Sequence, residues 1–503
     1  MIPRPDGRAI MSNSPYRPDY QDRDPNTAPA PAPAATAGRW GRLRTELRAV
    51  VCLAVPVVLT HLGMMLMGIV DVMMLGRYSE LALAAGALGN SIFIALLMLP
   101  MGVLMSLDPL VAQAFGAGDH PRVARFLRQG LVMAVLLAVP MSAVMWPLEG
   151  PLEILGQRPE IVGSSAGYLR MLVPGNVAYL LFIAVRHGLQ AMSVVRPAVL
   201  AMVFANLVNV VANYALIYGN FGFPALGVVG SAAATSLARW TLLLTLVAAS
   251  WPTLRRYLRP AEAPGRGDAR VARQSVAREE IPRFEPRILR RMLYLGFPIG
   301  MQLSIEIWFF VTVALLMGNL GTRELAAHQV ALSLAAFSFM VPLGISGAAA
   351  TRVGNAIGRG GLPGAQRAAA VCLGLGAAVM TVSAAGFWLF PGFLGRLFTD
   401  EPGVLEVAVV LIPIAALFQI FDGLQVVAFG ALRGAGDTRL PAALALVGFW
   451  LLGLPLGLLL AYRAGLGPRG LWWGFTIGLG AVAVLLIWRL LVRFSRPLTA
   501  LED

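Results

Sequence analysis

An all-α polytopic membrane protein, with twelve transmembrane helices in two pseudo-symmetric six-helix bundles, is the fold class this sequence predicts. Three observations predict it: a membrane-like composition, apolar runs of helix length, and an internal repeat that spans both halves. Of the 503 residues 57% are hydrophobic and 13% charged, and the mean hydropathy is +0.72, too much apolar surface for a soluble protein to hide. Crossing the hydrocarbon core takes about 20 mostly apolar residues, and such stretches recur along almost the whole chain after Trp40. They are rich in Leu, Val, Ala and Gly and lack the alternation of a barrel strand. Backbone groups in lipid must then be satisfied within each segment, which makes the runs helices.

In chain order, residues 1–45 are rich in Pro, Asp, Arg and Ala and read as a disordered cytoplasmic tail. No apolar core precedes a cleavage site there, so the pattern is not that of a secretory signal peptide, and Met11 offers an alternative start. An N-lobe over 46–250 holds predicted spans at 49–75, 83–108, 128–148, 165–190, 197–219 and 226–249. A basic cytoplasmic linker over 251–291 carries eleven arginines. The C-lobe, 292–495, holds spans at 292–317, 325–350, 367–390, 404–431, 440–462 and 470–492, and 496–503 form a short cytoplasmic tail.

The repeat is ungapped. An offset of 242 aligns residues 56–121 with 298–363 and pairs Pro56 with Pro298, Gly76 with Gly318, Pro100 with Pro342 and Gly102 with Gly344. Further on, Gly116, Gly118 and Pro121 meet Gly358, Gly360 and Pro363. Apolar composition alone matches Ala and Leu by chance, but not a ladder of residues that set backbone geometry. Six spans per half make this a parallel repeat about an axis along the membrane normal, an architecture of transporters whose sites lie near the midplane.

The formal charge of +14 comes from 40 basic residues, all of them arginine, gathered between the apolar runs. In a soluble protein this would suggest nucleic acid, but no basic aromatic face or reader motif is present. Arg122, Arg125 and Arg128 follow the second span and Arg352, Arg359 and Arg367 the eighth, whereas Glu149, Glu153, Glu160, Asp400, Glu401 and Glu406 lie in opposite loops. The positive-inside rule then expects both termini and the linker in the cytoplasm, with the chain in a bacterial-type inner membrane. Cys52 and Cys372 each lie in an apolar run and read as small packing residues rather than a disulfide or zinc site.

Inside the spans, a carboxylate costs several kcal/mol and therefore tends to face a cavity and serve a purpose. Leaving aside Glu406 at the lip of the tenth span, four qualify: Asp71, Asp108, Glu306 and Asp422. The repeat places Val313 opposite Asp71 and Met64 opposite Glu306, so the two lobes are expected to carry different carboxylate sites. Such acids suit attraction of a cationic substrate and its exchange for Na⁺ or H⁺. The bland alternative is a structural ion pair or a snorkelling side chain. The functional reading leads for Glu306, Asp422 and Asp71, while at Asp108, next to Pro109, the two readings balance. Asn206, Asn209 and Asn213 share a helix face, and Arg239 is expected to pair with a carboxylate. His328, expected at the start of span eight, is a candidate cavity residue.

Several stretches together resemble the multidrug and toxic compound extrusion (MATE) family, in its NorM-like branch. The carriers are Pro56 through Asp71-Val-Met-Met-Leu-Gly-Arg77, Gln113-Ala-Phe-Gly-Ala-Gly-Asp119, Asn209-Val-Val-Ala-Asn213, Pro298 through Glu306, Glu324-Leu-Ala-Ala-His-Gln-Val330, Phe421-Asp-Gly-Leu-Gln425, and Ala431-Leu-Arg-Gly-Ala-Gly-Asp-Thr-Arg-Leu-Pro441. The likeness covers about residues 45–495. It implies a V-shaped pair of bundles, alternating access, and cation-coupled efflux of cationic or amphipathic xenobiotics by a monomer in contact with membrane lipid. It assigns Glu306 and Asp422 to cation coupling, as ligands of Na⁺ if sodium is the ion. Asp71, Asn209 and Asn213 fall in the N-lobe coupling and substrate cluster, with Gln425 a further cavity candidate. Phe418 stands where some NorM-type proteins carry a tyrosine, which leaves H⁺ coupling open. No cofactor beyond the coupling ion is expected, and with no lysine there is no P-loop for ATP-driven transport. A membrane enzyme would need a clustered acid–base or metal constellation, which the four scattered histidines do not supply. A lipid-linked saccharide flippase, or an exporter of one metabolite, is the alternative within the same architecture.

Overall fold

The computed structural model describes residues 39–154, 158–258, 284–498, 500 and 501. The expected tail up to residue 38, the centre of the linker and the last two residues therefore lie outside the described residues. By internal contacts the chain divides into two units, Met1–Thr45 and Glu46–Asp503, and the second holds the helical bundles.

Among the described residues twelve helices are long and apolar enough to cross a membrane: α1 Trp40–Tyr78, α2 Glu80–Gly116, α3 His120–Met145, α4 Pro159–Ala191, α5 Arg196–Tyr218, α6 Gly227–Leu258, α7 Pro286–Leu320, α8 Thr322–Gly358, α9 Leu362–Leu389, α10 Pro402–Gly434, α11 Arg439–Arg463 and α12 Pro468–Phe494. Each predicted span falls on one of them. Most helices run past the predicted ends, because helical backbone continues beyond the apolar run that betrays it in sequence.

Local chemistry sets the ends. Ser79 accepts a hydrogen bond from the Ala82 amide at the start of α2, and Asp119 accepts one from the Arg122 amide at the start of α3, with Pro121 in that first turn. The repeat-related turns before α3 and α9 both use a left-handed glycine, Gly118 (φ 75°) and Gly360 (φ 73°), a backbone that other residues adopt only at a cost. Within α2 the helix breaks at Met105–Ser106. Pro109 is the cause, since it lacks the amide that would bond to Met105 and its ring crowds that carbonyl. The equivalent Thr351 leaves α8 unbroken.

Two apolar cores result, one mainly from the first half and one mainly from the second. They meet along a seam formed by α2 against α7 and by the end of α2 against α8. The seam obeys the repeat. A Cβ on Gly102 would overlap the Gly300 backbone, and a Cβ on the equivalent Gly344 would overlap Val58, the equivalent of Gly300. Likewise Gly116 lies on Asn355 and Gly358 on Gln113, again exchanged by the 242 offset. Gln113 donates to Gly434 O (2.9 Å) at the end of α10, and Asn355 donates to Ala191 O (3.2 Å) at the end of α4. The parallel repeat read from sequence is thus a pseudo-two-fold interface.

Side-chain hydrogen bonds and ion pairs that cross between the halves gather at this one end among the described residues. They include a two-pronged Arg352–Glu46 pair (2.8 Å) and the Thr351 hydroxyl donating to Gln190 O (3.3 Å). Here too the chain end is tied down. The Leu501 amide donates to Gln113 Oε1 (2.7 Å), and its carbonyl accepts from Arg122 (2.7 Å).

Candidate functional site

In the second half, Glu306 near the middle of α7 meets Asp422 of α10 through one amide. Gln425, one turn after Asp422, directs its Nε2 at Glu306 Oε1 (3.0 Å) and Asp422 Oδ1 (3.5 Å). Gln302, one turn before Glu306, donates to its other oxygen (3.1 Å). Asp422 and Gln425 are buried and Glu306 half-buried. Neither carboxylate has an arginine beside it among the described residues, and Gln425 Oε1 is buried without a partner. Two acids held together in this way, with a spare amide oxygen, form an oxygen-rich group suited to a hard cation or a proton.

Elements around the pair hold it in place. Two π-helical stretches, Val447–Gly453 and Leu459–Arg463, interrupt α11, a wide-turn geometry that re-aims side chains. Trp450, inside the first, donates to Ile305 O (3.1 Å), the carbonyl next to Glu306. Phe418 is buried against Phe310, Trp472 and Phe475, so the position that departs from a tyrosine belongs to an aromatic cluster. His328 packs in that cluster too, with Trp472 at 5.6 Å and Phe475 stacked at 6.2 Å. It lies two turns into α8 rather than at its start, is fully buried, and neither ring nitrogen has a hydrogen-bond partner. The structure therefore places His328 in sealed packing and not on an open cavity wall.

In the first half, Asp71 of α1 collects three donors. Asn209 and Asn213 of α5 donate to its Oδ1, the former at 3.1 Å, and Thr235 of α6 donates to Oδ2 (3.0 Å). Asn213 also bonds to Asn209 Oδ1 (3.1 Å), while its own Oδ1 is buried and unpartnered. Asn206 shares the face but bonds backbone carbonyls of Gly63 and Met202. Thr235 is the member sequence reasoning missed; its signal was a hydroxyl inside the Ala-rich run of α6. Arg239, one turn later, does not take a carboxylate as expected. It bonds Asn176 Oδ1 (3.1 Å) and lies over the rings of Phe93 (4.1 Å) and Tyr179 (5.0 Å).

Replacing Thr235 by Val leaves the shape and removes one donor to a charged oxygen. Hydrogen bonds to charged groups contribute about 1.5–3 kcal/mol. The expected result is a lower melting temperature, since the lost bond steadies the folded cluster, together with an altered concentration dependence for any cation that Asp71 holds. Unaltered concentration dependence would remove Thr235 from the site.

The fourth acid within the spans, Asp108, stands apart from both clusters: it faces His187 and, across the seam, Arg433.

Comparison with known proteins agrees with this architecture. The MatE family model matches twice, over residues 56–215 and 298–459, the two starts separated by the same 242 residues as the repeat. A probable multidrug resistance protein NorM of Bradyrhizobium diazoefficiens is 39% identical over 442 residues, covering 87% of this chain and 91% of its own. A multidrug resistance protein NorM of Burkholderia vietnamiensis is 38% identical, covering 89% and 94% respectively. Among solved structures, the eukaryotic MATE transporter AtDTX14 superposes with a TM-score of 0.77 at 23% identity, covering 90% of this chain and 96% of the other. A MOP superfamily transporter from Pyrococcus furiosus gives 0.78 at 20% identity with the same coverage, a likeness of fold.

Proposed function

The chain belongs to the MATE family, and on that premise we propose that it is a secondary active exporter of cationic and amphipathic compounds, exchanging them for Na⁺ or H⁺ by alternating access. It acts as a transporter rather than an enzyme, as a monomer, in the inner membrane with both termini cytoplasmic. The observation that carries the reading is the Glu306–Gln425–Asp422 group: two acids sharing one amide donor, with no arginine beside them. Negative charge kept there calls for a cation, and the residues present fit a sodium ion or a proton equally well. For sodium, Glu306, Asp422 and the spare Gln425 Oε1 would hold it.

Orientation follows from charge. Arg122, Arg125, Arg128, Arg352, Arg359 and Arg367 flank the sealed end, which the positive-inside rule places in the cytoplasm. The halves are then closed inward, the state in which an external ion reaches the acids and displaces the drug. Coupling requires ion and drug to favour different states or to compete for the same carboxylates, since equal affinity for both states moves nothing.

Ethidium efflux in everted vesicles, with ΔpH and a Na⁺ gradient imposed separately, tests the proposal. Efflux driven by one gradient names the ion. No efflux under either, with the protein inserted, would redirect the assignment to a lipid-linked saccharide or a specific metabolite.

A further inference from the structure

At one of the places where the pseudo-symmetric seam departs from its symmetry it buries a charged group completely. Asp108, set just after the break in α2, is fully buried. Its Oδ1 lies 2.7 Å from His187 Nδ1 on α4, and its Oδ2 lies 3.2 Å from Arg433 Nε on α10. Arg186 extends the row, with a terminal nitrogen 3.1 Å from His187 Nε2. Arginine can only donate, so His187 Nε2 accepts and its Nδ1–H is given to Asp108. The equivalent positions of the other half carry no second copy of the device. The 242 offset puts Ala350 opposite Asp108, and matching the ends of α4 and α10 puts Gln190 opposite Arg433.

We infer that Asp108 and Arg433 form a latch that holds the halves closed at this end, with His187 and Arg186 as positioning residues that keep Asp108 partnered once the latch opens. The inference rests on the alternating-access reading. Asp108, His187 and Arg186 ride on the first half and Arg433 on the second, so separation of the halves removes one member only. A contact present in one state and absent in the other biases the equilibrium by its differential free energy. Its geometry suits release: neither Asp108 Oδ2 nor Arg433 Nε has a well-directed hydrogen bond, so charge rather than direction holds the pair. Another ion pair across the halves, Arg352–Glu46, is partly exposed. Like the neutral bonds of Gln113 and Asn355 to backbone carbonyls it can exchange for water when the end opens, whereas Asp108 is fully buried. His187 is what lets the aspartate lose Arg433 without being left bare in the first half.

The test needs no drug. In full-length protein in nanodiscs, with Cys52 and Cys372 replaced by Ala, Thr351→Cys puts a thiol of similar volume at a fully buried seam position. The rate of its labelling by a polar maleimide reports opening of this end. Asp108→Asn and Arg433→Gln are each expected to raise that rate on the order of tenfold, within the usual span of coupling between states. The double variant should exceed neither single, because both remove one and the same pair, and Arg433→Lys, which keeps the charge, should retain most of the protection. Unchanged labelling in both single variants, multiplication of their effects in the double, or Lys behaving as Gln would each overturn the latch. If Asp108→Asn does not fold, the Gln and Lys variants at Arg433 decide alone. Unchanged labelling alongside intact efflux sinks the latch only, whereas absent efflux with faster labelling sinks the drug reading only.

Discussion

Asp422→Asn is expected to abolish uphill ethidium efflux while leaving a folded, inserted protein, and Glu306→Gln to do nearly the same. Both changes keep volume and most acceptor capacity and remove one negative charge from the Glu306–Gln425–Asp422 group. Two acids with no arginine beside them depend on an ion or proton for neutrality. With one acid gone the remaining carboxylate can be satisfied by Gln425 alone, so the group no longer changes its ion in step with the drug. Coupling, not folding, is lost. Removing one of two neighbouring buried acids relieves their mutual repulsion and the cost of desolvating that charge, so the melting temperature should hold or rise. Efflux against a gradient at the normal rate in either variant would end the assignment of these acids. A drop in efflux with a parallel drop in melting temperature would instead mark them as structural.

Gly102→Val is expected to have the second largest effect, and of a different kind. Even a Cβ at this position would overlap the Gly300 backbone of the facing half, and backbone cannot rotate away as a side chain can. Overpacking a tight contact costs about 1–3 kcal/mol where neighbours can shift, and more is expected here. The seam should fail to close, so a thiol at Thr351→Cys becomes labelled at least as fast as in the latch variants. Efflux should fall without any change in the carboxylates. Gly344→Val should act in the same direction but more weakly, since its facing residue, Val58, offers a side chain that can move as well as backbone. A slow-labelling, fully active Gly102→Val protein would show that this contact does not govern closure.

Hydropathy and punctuation made the fold legible. Twelve apolar runs located twelve helices, and the Pro and Gly ladder predicted an interface related by a two-fold, because those residues mark where backbones turn or touch. The carboxylates were legible for a similar reason: an acid in an apolar run has few excuses. Their partners were less so. Gln425 and Asn213 have polar side chains within apolar runs, but Thr235 resembles any helix hydroxyl that could bond its own preceding turn. Arg239 misled because a buried guanidinium can be satisfied by an amide and two aromatic faces as well as by an acid. His328 misled because its helix begins earlier than its apolar stretch. Asp108 was visible, but its partner Arg433 lies 325 residues away, and no spacing rule links them.

The hold on Leu501 has a consequence for biosynthesis. Gln113 emerges from the ribosome early, yet one partner of its amide oxygen is Leu501, 388 residues later. At roughly 5–20 residues per second, the 243 residues from Leu258 to Leu501 take about 12–50 s to make. For that interval the first bundle can be complete while the seam beneath it lacks its last stitch. Closure at this end is thus a late event of assembly, and a nascent chain stalled before Leu501 would carry an intact first half with an unfinished joint.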